Sequence, residues 1–277
     1  MSAHPLKVDV PLIASGVDYC TVTAHAGARQ TRLEEFALTL GQGYLRGGYE
    51  LREAGSQGYR GWTIGPMTYG TRPDGSMLRL SGWGAHYWWD KAVPLAHNVS
   101  RLDLQVTIDG GPLATEIAEI HEAEAIEARR GRGRPVKVAL TREHERGQTL
   151  YLGSRSSNVY RRCYDKHAEK PADYPRGAWR YEIEYKAEVA ALVGRSMLDQ
   201  GNAATAIPAL VHRQFARCGV TPLFDPTSSA LRDHCPVEPP DVERRLRWLR
   251  DDVARTVRRL VAGGYGDLAR KALFGNA

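Results

Sequence analysis

The chain has 277 residues, a formal net charge of +6 and an isoelectric point of about 9.2, long enough for one large domain or two ordinary ones with a proper apolar core. No stretch approaches the roughly 20 apolar residues of a membrane span, and the N-terminus lacks a charged start followed by an apolar run, so a cytoplasmic protein without membrane association is expected. Cys20, Cys163, Cys218 and Cys235 stand far apart with no CxxC pair, which argues against a zinc cluster and against a disulfide framework.

Residues 1–16 read as a loose leader, and VDYCTVT from Val17 to Thr23 as the first strand. Thr31 stands three residues before Glu34, ahead of apolar residues at Leu33, Phe36, Leu40 and Leu45. This capping-box pattern predicts a helix over 31–46, with Gly47 and Gly48 as its stop. The glycine- and aromatic-rich stretch from Tyr49 to Gly84 carries a turn signal at Arg72-Pro73-Asp74-Gly75 and reads as a hairpin or meander with MLRLSG as its return strand. Its glycines fit no phosphate-binding loop pattern. A short helix is expected within 86–96.

RLDLQVT, residues 101–107, is a strong strand with Leu102, Leu104 and Val106 on one face and Arg101, Asp103, Gln105 and Thr107 on the other. Asp109-Gly110-Gly111-Pro112 then opens a helix with Ile117, Ile120 and Ile126 on one side. The glutamates around them read as a solvated face, with His121 among them at the surface. RRGRGRP breaks this helix. Its Arg129, Arg130, Arg132 and Arg134 are candidates for phosphate contact, and RGRP is the tetrapeptide at the core of minor-groove AT-hooks. From Arg129 to Lys186 fifteen Lys/Arg stand against seven Asp/Glu, so this segment is more basic than the chain as a whole and suits a polyanionic substrate such as nucleic acid. After Lys186 the chain turns helical, over 187–196, 204–217 and the strongly amphipathic, arginine-rich 241–262.

The segment from Thr149 to Lys186 organises the rest. It reads as three strands: TLYLGS, VYRRCYDK and WRYEIEYK. The second places Tyr160, Arg162, Tyr164 and Lys166 on one side, and the third does the same for Arg180, Glu182, Glu184 and Lys186. Carboxylates, phenols and cations on one sheet face are the components of metal-assisted phosphodiester chemistry. Asp103, Glu182 and Glu184 are the candidate ligands, hard oxygen donors suited to Mg²⁺ or Mn²⁺; for any one of them alone, a salt bridge with Arg101 or Arg180 is the plainer account. A phenol with an ordinary pKa near 10 needs cations or a metal-polarised phosphate to become a nucleophile. Arg155, in the GSRSS turn, could clamp a phosphate.

In this order, RLDLQVT, LYLGSRSSNVYRRCYDK and WRYEIEYK resemble the replication initiation factor (Rep_trans) family of rolling-circle plasmids and filamentous phages, with related relaxases of conjugative elements. GVDYCTVT and MLRLSG resemble its upstream landmarks, so the resemblance runs from about Gly16 to Lys186. It implies an α+β fold, an antiparallel sheet with helices on one face, followed by a helical C-terminal region. The expected division is a leader over 1–16, a catalytic nicking domain over 17–190, and a helical region over 191–277 for DNA recognition or dimerisation.

The activity implied is nicking and rejoining of origin DNA, single-stranded or supercoiled, through a tyrosine 5′-phosphodiester with a divalent metal, serving a host helicase and polymerase. R-x-Y-x-K falls on Arg162-Cys163-Tyr164-Asp165-Lys166, which makes Tyr164 the first choice of nucleophile, Tyr160 its rival and Lys166 a catalytic partner. Asp103, Glu182 and Glu184 fall on the acidic positions. Two departures stand out: the chain has no HxH metal motif, and Thr107 replaces the second acid of RxDxxxD. The competing readings are a DNA-binding regulator without catalysis and a metal-dependent nuclease that uses water.

Overall fold

The computed structural model describes residues 10–56, 58–130, 136–143, 147–201 and 203–226, all within one compact unit, Met1–Asp233. Arg132, Arg134 and the helix expected over 241–262 lie outside the described residues.

Alternation in the sequence becomes a sheet of strands β1 (Leu12–His25), β2 (Leu51–Ser56), β3 (Tyr59–Ile64), β4 (Met67–Arg72), β5 (Gly75–Ser81), β6 (Asn98–Asp109), β7 (Val138–Glu143), β8 (Gly147–Leu152), β9 (Val159–Asp165) and β10 (Ala178–Lys186). Their order is β2-β3-β4-β5-β1-β6-β10-β9-β8-β7, and every neighbouring pair is antiparallel. The three longest strands, β1, β6 and β10, lie side by side at the centre. The meander expected between Tyr49 and Gly84 is β2 to β5, with Arg72 and Gly75 closing the β4–β5 turn.

One face of the sheet is apolar. Leu102, Leu104 and Val106 of β6 and Tyr181, Ile183 and Tyr185 of β10 are at most 1% exposed, as are Leu150, Leu152 and Cys163 on β8 and β9. This face packs beneath α1 (Ala28–Arg46), α2 (Trp83–Ala92), α3 (Ile117–Arg130), α5 (Ala187–Asp199) and α6 (Ala203–Ala216), whose buried residues share a single core with it. Burial of that surface at about 25 cal/mol per Å² is what holds the layers together. A β-bulge in β1 changes which residues reach the polar face. Val17 pairs with Leu104 and Tyr19 with Asp103, so Asp18 is an extra residue between them. The bulge keeps Val17 and Cys20 on the core face although they are three residues apart, and it turns both Asp18 and Tyr19 toward the polar face.

Several boundaries differ from the sequence expectation. β1 begins at Leu12, inside the expected leader. α1 begins at Ala28, not Thr31. Gly27, at φ 116°, makes a turn closed to other residues, and Thr31 N donates to Gly27 O within the first helical turn, so Thr31 caps nothing. α5 follows β10 directly and α6 packs on β1, β6 and β10, so packing is continuous across residue 190.

The largest correction concerns His121. Its ring is fully buried, with Nδ1 2.8 Å from Glu124 Oε2 and Nε2 2.8 Å from the Tyr181 hydroxyl. α3 turns this residue inward because a buried tyrosine hydroxyl on β10 needs a partner. Leu223 N also donates to that hydroxyl and Thr221 N to Glu124, which ties the chain after α6 to the sheet. His121→Ala is expected to cost about 1–3 kcal/mol, because it strips a partner from two buried or half-buried polar groups. Urea denaturation reads this as a lower midpoint, and an unchanged midpoint contradicts the structural role.

Candidate active site

The polar face is built from the alternate residues of the same central strands. Register places Asp103 of β6 opposite Glu184 of β10, and Glu184 opposite Tyr160 of β9. One step along the strands, Glu182 lies opposite Arg162, and Arg162 opposite Tyr151. A further step brings Thr107, Arg180, Tyr164 and Thr149 into line. Cross-strand partners share a face and touch, so β6, β8, β9 and β10 bring Asp103, Glu182, Glu184, Tyr160, Arg162 and Tyr164 into one patch.

Ion pairs dominate that patch. Arg101 holds Asp103 through two bonds, Nε to Oδ1 at 2.8 Å and Nη2 to Oδ2 at 2.6 Å, and its Nη2 also lies 3.0 Å from Glu184 Oε2. Lys186 Nζ is 2.8 Å from Glu184 Oε1 and also donates to Arg155 O. Arg162 donates to Glu182 Oε1, while the Tyr164 hydroxyl donates to Glu182 Oε2 at 3.0 Å. Asp103 and Glu182 are 2% and 1% exposed and Tyr164 is 8% exposed, so these charges sit in a dry environment where pairing is strong.

Burial and the crowding of three carboxylates disfavour ionisation here. Burial pushes the Asp103 carboxyl up to about 7, against the pull of its bonds to Arg101, and the charges of Glu182 and Glu184 add to the rise. Burial also raises the Tyr164 phenol well above its ordinary range. The Glu182 charge adds to that rise, and Arg180 and Arg162 oppose it. The Tyr160 phenol is raised by burial and by Tyr151, whose ring stacks on it at 5.9 Å.

Lys166 does not sit on the strand with the tyrosines. β9 ends at Asp165, whose side chain accepts from Ala168 N at 2.8 Å and so starts the short helix α4 (Lys166–Glu169). The Lys166 ammonium nevertheless lies 5.5 Å from the centre of the Tyr164 ring and pairs with Glu169, and burial lowers its pKa. Arg155 is exposed in the β8–β9 turn, and its backbone carbonyl receives Lys186. Arg129 is exposed near the end of α3.

Sequence reasoning missed Arg180 as a site residue. It is 3% exposed, directly opposite Tyr164, and bonded to Asp18, Thr107 and the Tyr174 hydroxyl. A cation on the polar face of WRYEIEYK was legible; its partners depend on the bulge at Asp18 and on the loop before β10. Beside Tyr164 opens a cavity of about 160 Å³ lined by Thr141, Gly147, Thr149, Tyr151, Arg162 and Glu169.

As arranged, no group of three His, Cys, Asp or Glu among the described residues is set to hold a metal ion; each carboxylate oxygen faces a cation or the phenol. Asp103, Glu182 and Glu184 are nevertheless hard oxygen donors on neighbouring strands, the kind of group that could serve Mg²⁺ or Mn²⁺.

The fold is that of a structure described as the rolling circle replication initiator protein from Geobacillus stearothermophilus, at a TM-score of 0.54 and 19% identity, covering 81% of this chain and 90% of that one. No curated protein matches the chain. No helix among the described residues is long and apolar enough to cross a membrane. The family model described as replication initiation factor matches residues 98–267, from the start of β6 onward, leaving VDYCTVT and MLRLSG outside the match. With more than half its length matched, and the acids, cations and tyrosines of the matched strands gathered on one face, the chain belongs to the replication initiation factor family.

Proposed function

We propose that the protein nicks and rejoins one strand of origin DNA to start rolling-circle replication, with Tyr164 as the nucleophile. The observation that carries this reading is the 3.0 Å hydrogen bond from the Tyr164 hydroxyl to Glu182 Oε2, inside a patch that also holds Arg162, Asp103 and Glu184. Because burial and the Glu182 charge disfavour a free tyrosinate, the proton must leave as the bond to phosphorus forms. Glu182, which accepts the phenol's hydrogen bond, takes it in this reading. Tyr164 Oη attacks the phosphorus and the P–O3′ bond breaks. The 5′-phosphate stays on the tyrosine, and the 3′-oxygen takes up a proton from solvent, matching the one that Glu182 received and passes back to solvent, to become the 3′-OH from which a polymerase extends. The phosphotyrosine keeps the bond energy, so attack by a 3′-OH reverses the step and rejoins the strand.

Arg162 and Arg180 flank Tyr164 and are suited to charge developing on the phosphate and the phenol oxygen. Asp103, Glu184 and Glu182 Oε1 are the residues that would hold Mg²⁺ or Mn²⁺ once Arg101, Lys186 and Arg162 give up their bonds to them. Such an ion supplies Lewis-acid polarisation of the scissile phosphate. Arg155, Arg129 and Arg130 serve the DNA backbone in this reading. A host helicase and polymerase would act on the nicked product in the cytoplasm, and the helical region after residue 190 would serve DNA recognition or a homodimer.

The test is to incubate the protein with single-stranded DNA carrying its origin and Mn²⁺, and then to denature it. A band that retains the labelled 5′-phosphate fragment on the protein supports the proposal. Cleavage without that band points to hydrolysis by water. Binding without cleavage points to a regulator.

A further inference from the structure

The register extends beyond the site. Lys186 of β10 pairs with Arg101 of β6, Arg101 with Thr21 of β1, and Thr21 with Arg79 of β5. The same line continues through Thr68 and Thr63 to Arg52 on the edge strand β2. A single cross-strand row thus runs over seven neighbouring strands, and it holds four cations, three threonines and no carboxylate. At about 4.8 Å per strand it is on the order of 29 Å long.

The polar face carries this row, because Arg101 bonds Asp103 there and lies over Tyr19, and cross-strand partners share a face. The five longer helices pack on the opposite face. Two features make the row a binding track rather than a solvated stripe. Arg79 Nε is buried without a hydrogen-bond partner among the described residues. The row is also one residue wide. On the side away from the carboxylates its neighbours are Ala54, Gly61, Gly70, Met77 and Thr23, which bear no charge. On the other side stand Asp103 and Glu184 at the β6–β10 end, and Glu50, 3.0 Å from Arg52, at the β2 end, an exposed pair that a phosphate can displace.

We propose that this row binds the sugar-phosphate backbone of a single DNA strand and leads it from the edge of the sheet at β2 to the carboxylates at β6 and β10. A single file of cations matches one phosphodiester chain, whereas a duplex presents two. Thr21, Thr63 and Thr68 are short, so a strand can settle close to the sheet between the arginines. A stacked strand advances about 3.4 Å per phosphate, so the row spans roughly eight phosphates, and fewer when the strand is stretched.

The proposal rests on the nicking reading only in taking DNA as the substrate. It is tested by fluorescence anisotropy of the full chain with a labelled single-stranded oligonucleotide across a salt series. Each phosphate contact contributes about 0.7 to the slope of log K against log salt on single strands. Arg79→Met and Arg52→Met should each lower that slope by about 0.7, and the double variant by about 1.4. Arg79→Lys should keep the slope, and Thr68→Lys should raise it by a similar step, which guards against a trivial loss of folding. A wild-type slope in the double variant overturns the track and leaves the nicking reading standing. An equal or larger loss of slope on a duplex of the same length overturns the single-strand assignment. If the wild-type protein binds no single strand, the track and the DNA reading fall together.

Discussion

Tyr164→Phe is expected to abolish both the covalent adduct and nicking, with a loss on the order of 10⁴ or more, the scale at which an enzyme loses its nucleophile. The substitution removes one oxygen from a side chain that is 8% exposed and keeps the ring, so packing and DNA binding should change little. Glu182 keeps its bond to Arg162 and is not left unpaired. Tyr160 provides the contrast. It lies opposite Glu184, two rows from Tyr164, with its ring stacked on Tyr151. If Tyr160 carries the DNA, Tyr160→Phe will lose the adduct and Tyr164→Phe will retain it. Mass spectrometry of the adducted peptide decides between them, and a modification on Tyr151 or on no tyrosine of β8 and β9 would sink the assignment.

Much of this site could be read from alternation alone. RLDLQVT and WRYEIEYK declare two faces each, and in the structure those faces are a helix-covered core and a row of charges, as period two demands. The pairing of Asp103 with Glu184 was not legible, because neither strand's own alternation says which residue of a partner some 80 residues away stands opposite it, and bulges elsewhere in the sheet are equally silent. Nothing in VDYCTVT marks Asp18 as the extra residue. For the same reason the line from Lys186 to Arg52 has no trace in the sequence; its members come from seven separate strands and meet only through pairing. His121 misled because its neighbours are glutamates, and one buried partner, the Tyr181 hydroxyl, outweighed that local pattern. Thr31 misled because Gly27 could start the helix a turn earlier through a backbone conformation that sequence spacing does not encode.

The carboxylates give the second large expected effect, and the choice of substitution matters. Asp103→Ala would open a cavity at a residue that is 2% exposed and leave Arg101 with Glu184 as its remaining carboxylate partner, so it disturbs packing as well as charge. Asp103→Asn, Glu184→Gln and Glu182→Gln keep the shapes and remove one charge each. If Asp103 and Glu184 hold the metal, each amide should lower nicking by about 10²–10³, the scale of losing one electrostatic stabiliser of a transition state. Chelation of divalent ions by EDTA should have the same effect on the wild-type protein. Single-strand binding should survive all of these changes, because it rests on phosphate contacts and each substitution removes negative charge from the face that receives the DNA. Glu182→Gln separates the roles further. It removes the proton acceptor of Tyr164 as well as a ligand, so added Mn²⁺ should rescue Asp103→Asn and Glu184→Gln in part and Glu182→Gln far less. Equal loss of binding and nicking in a variant whose thermal unfolding is unchanged would contradict the metal assignment. Equal rescue of all three by Mn²⁺ would remove Glu182 from the proton transfer and leave it a ligand only.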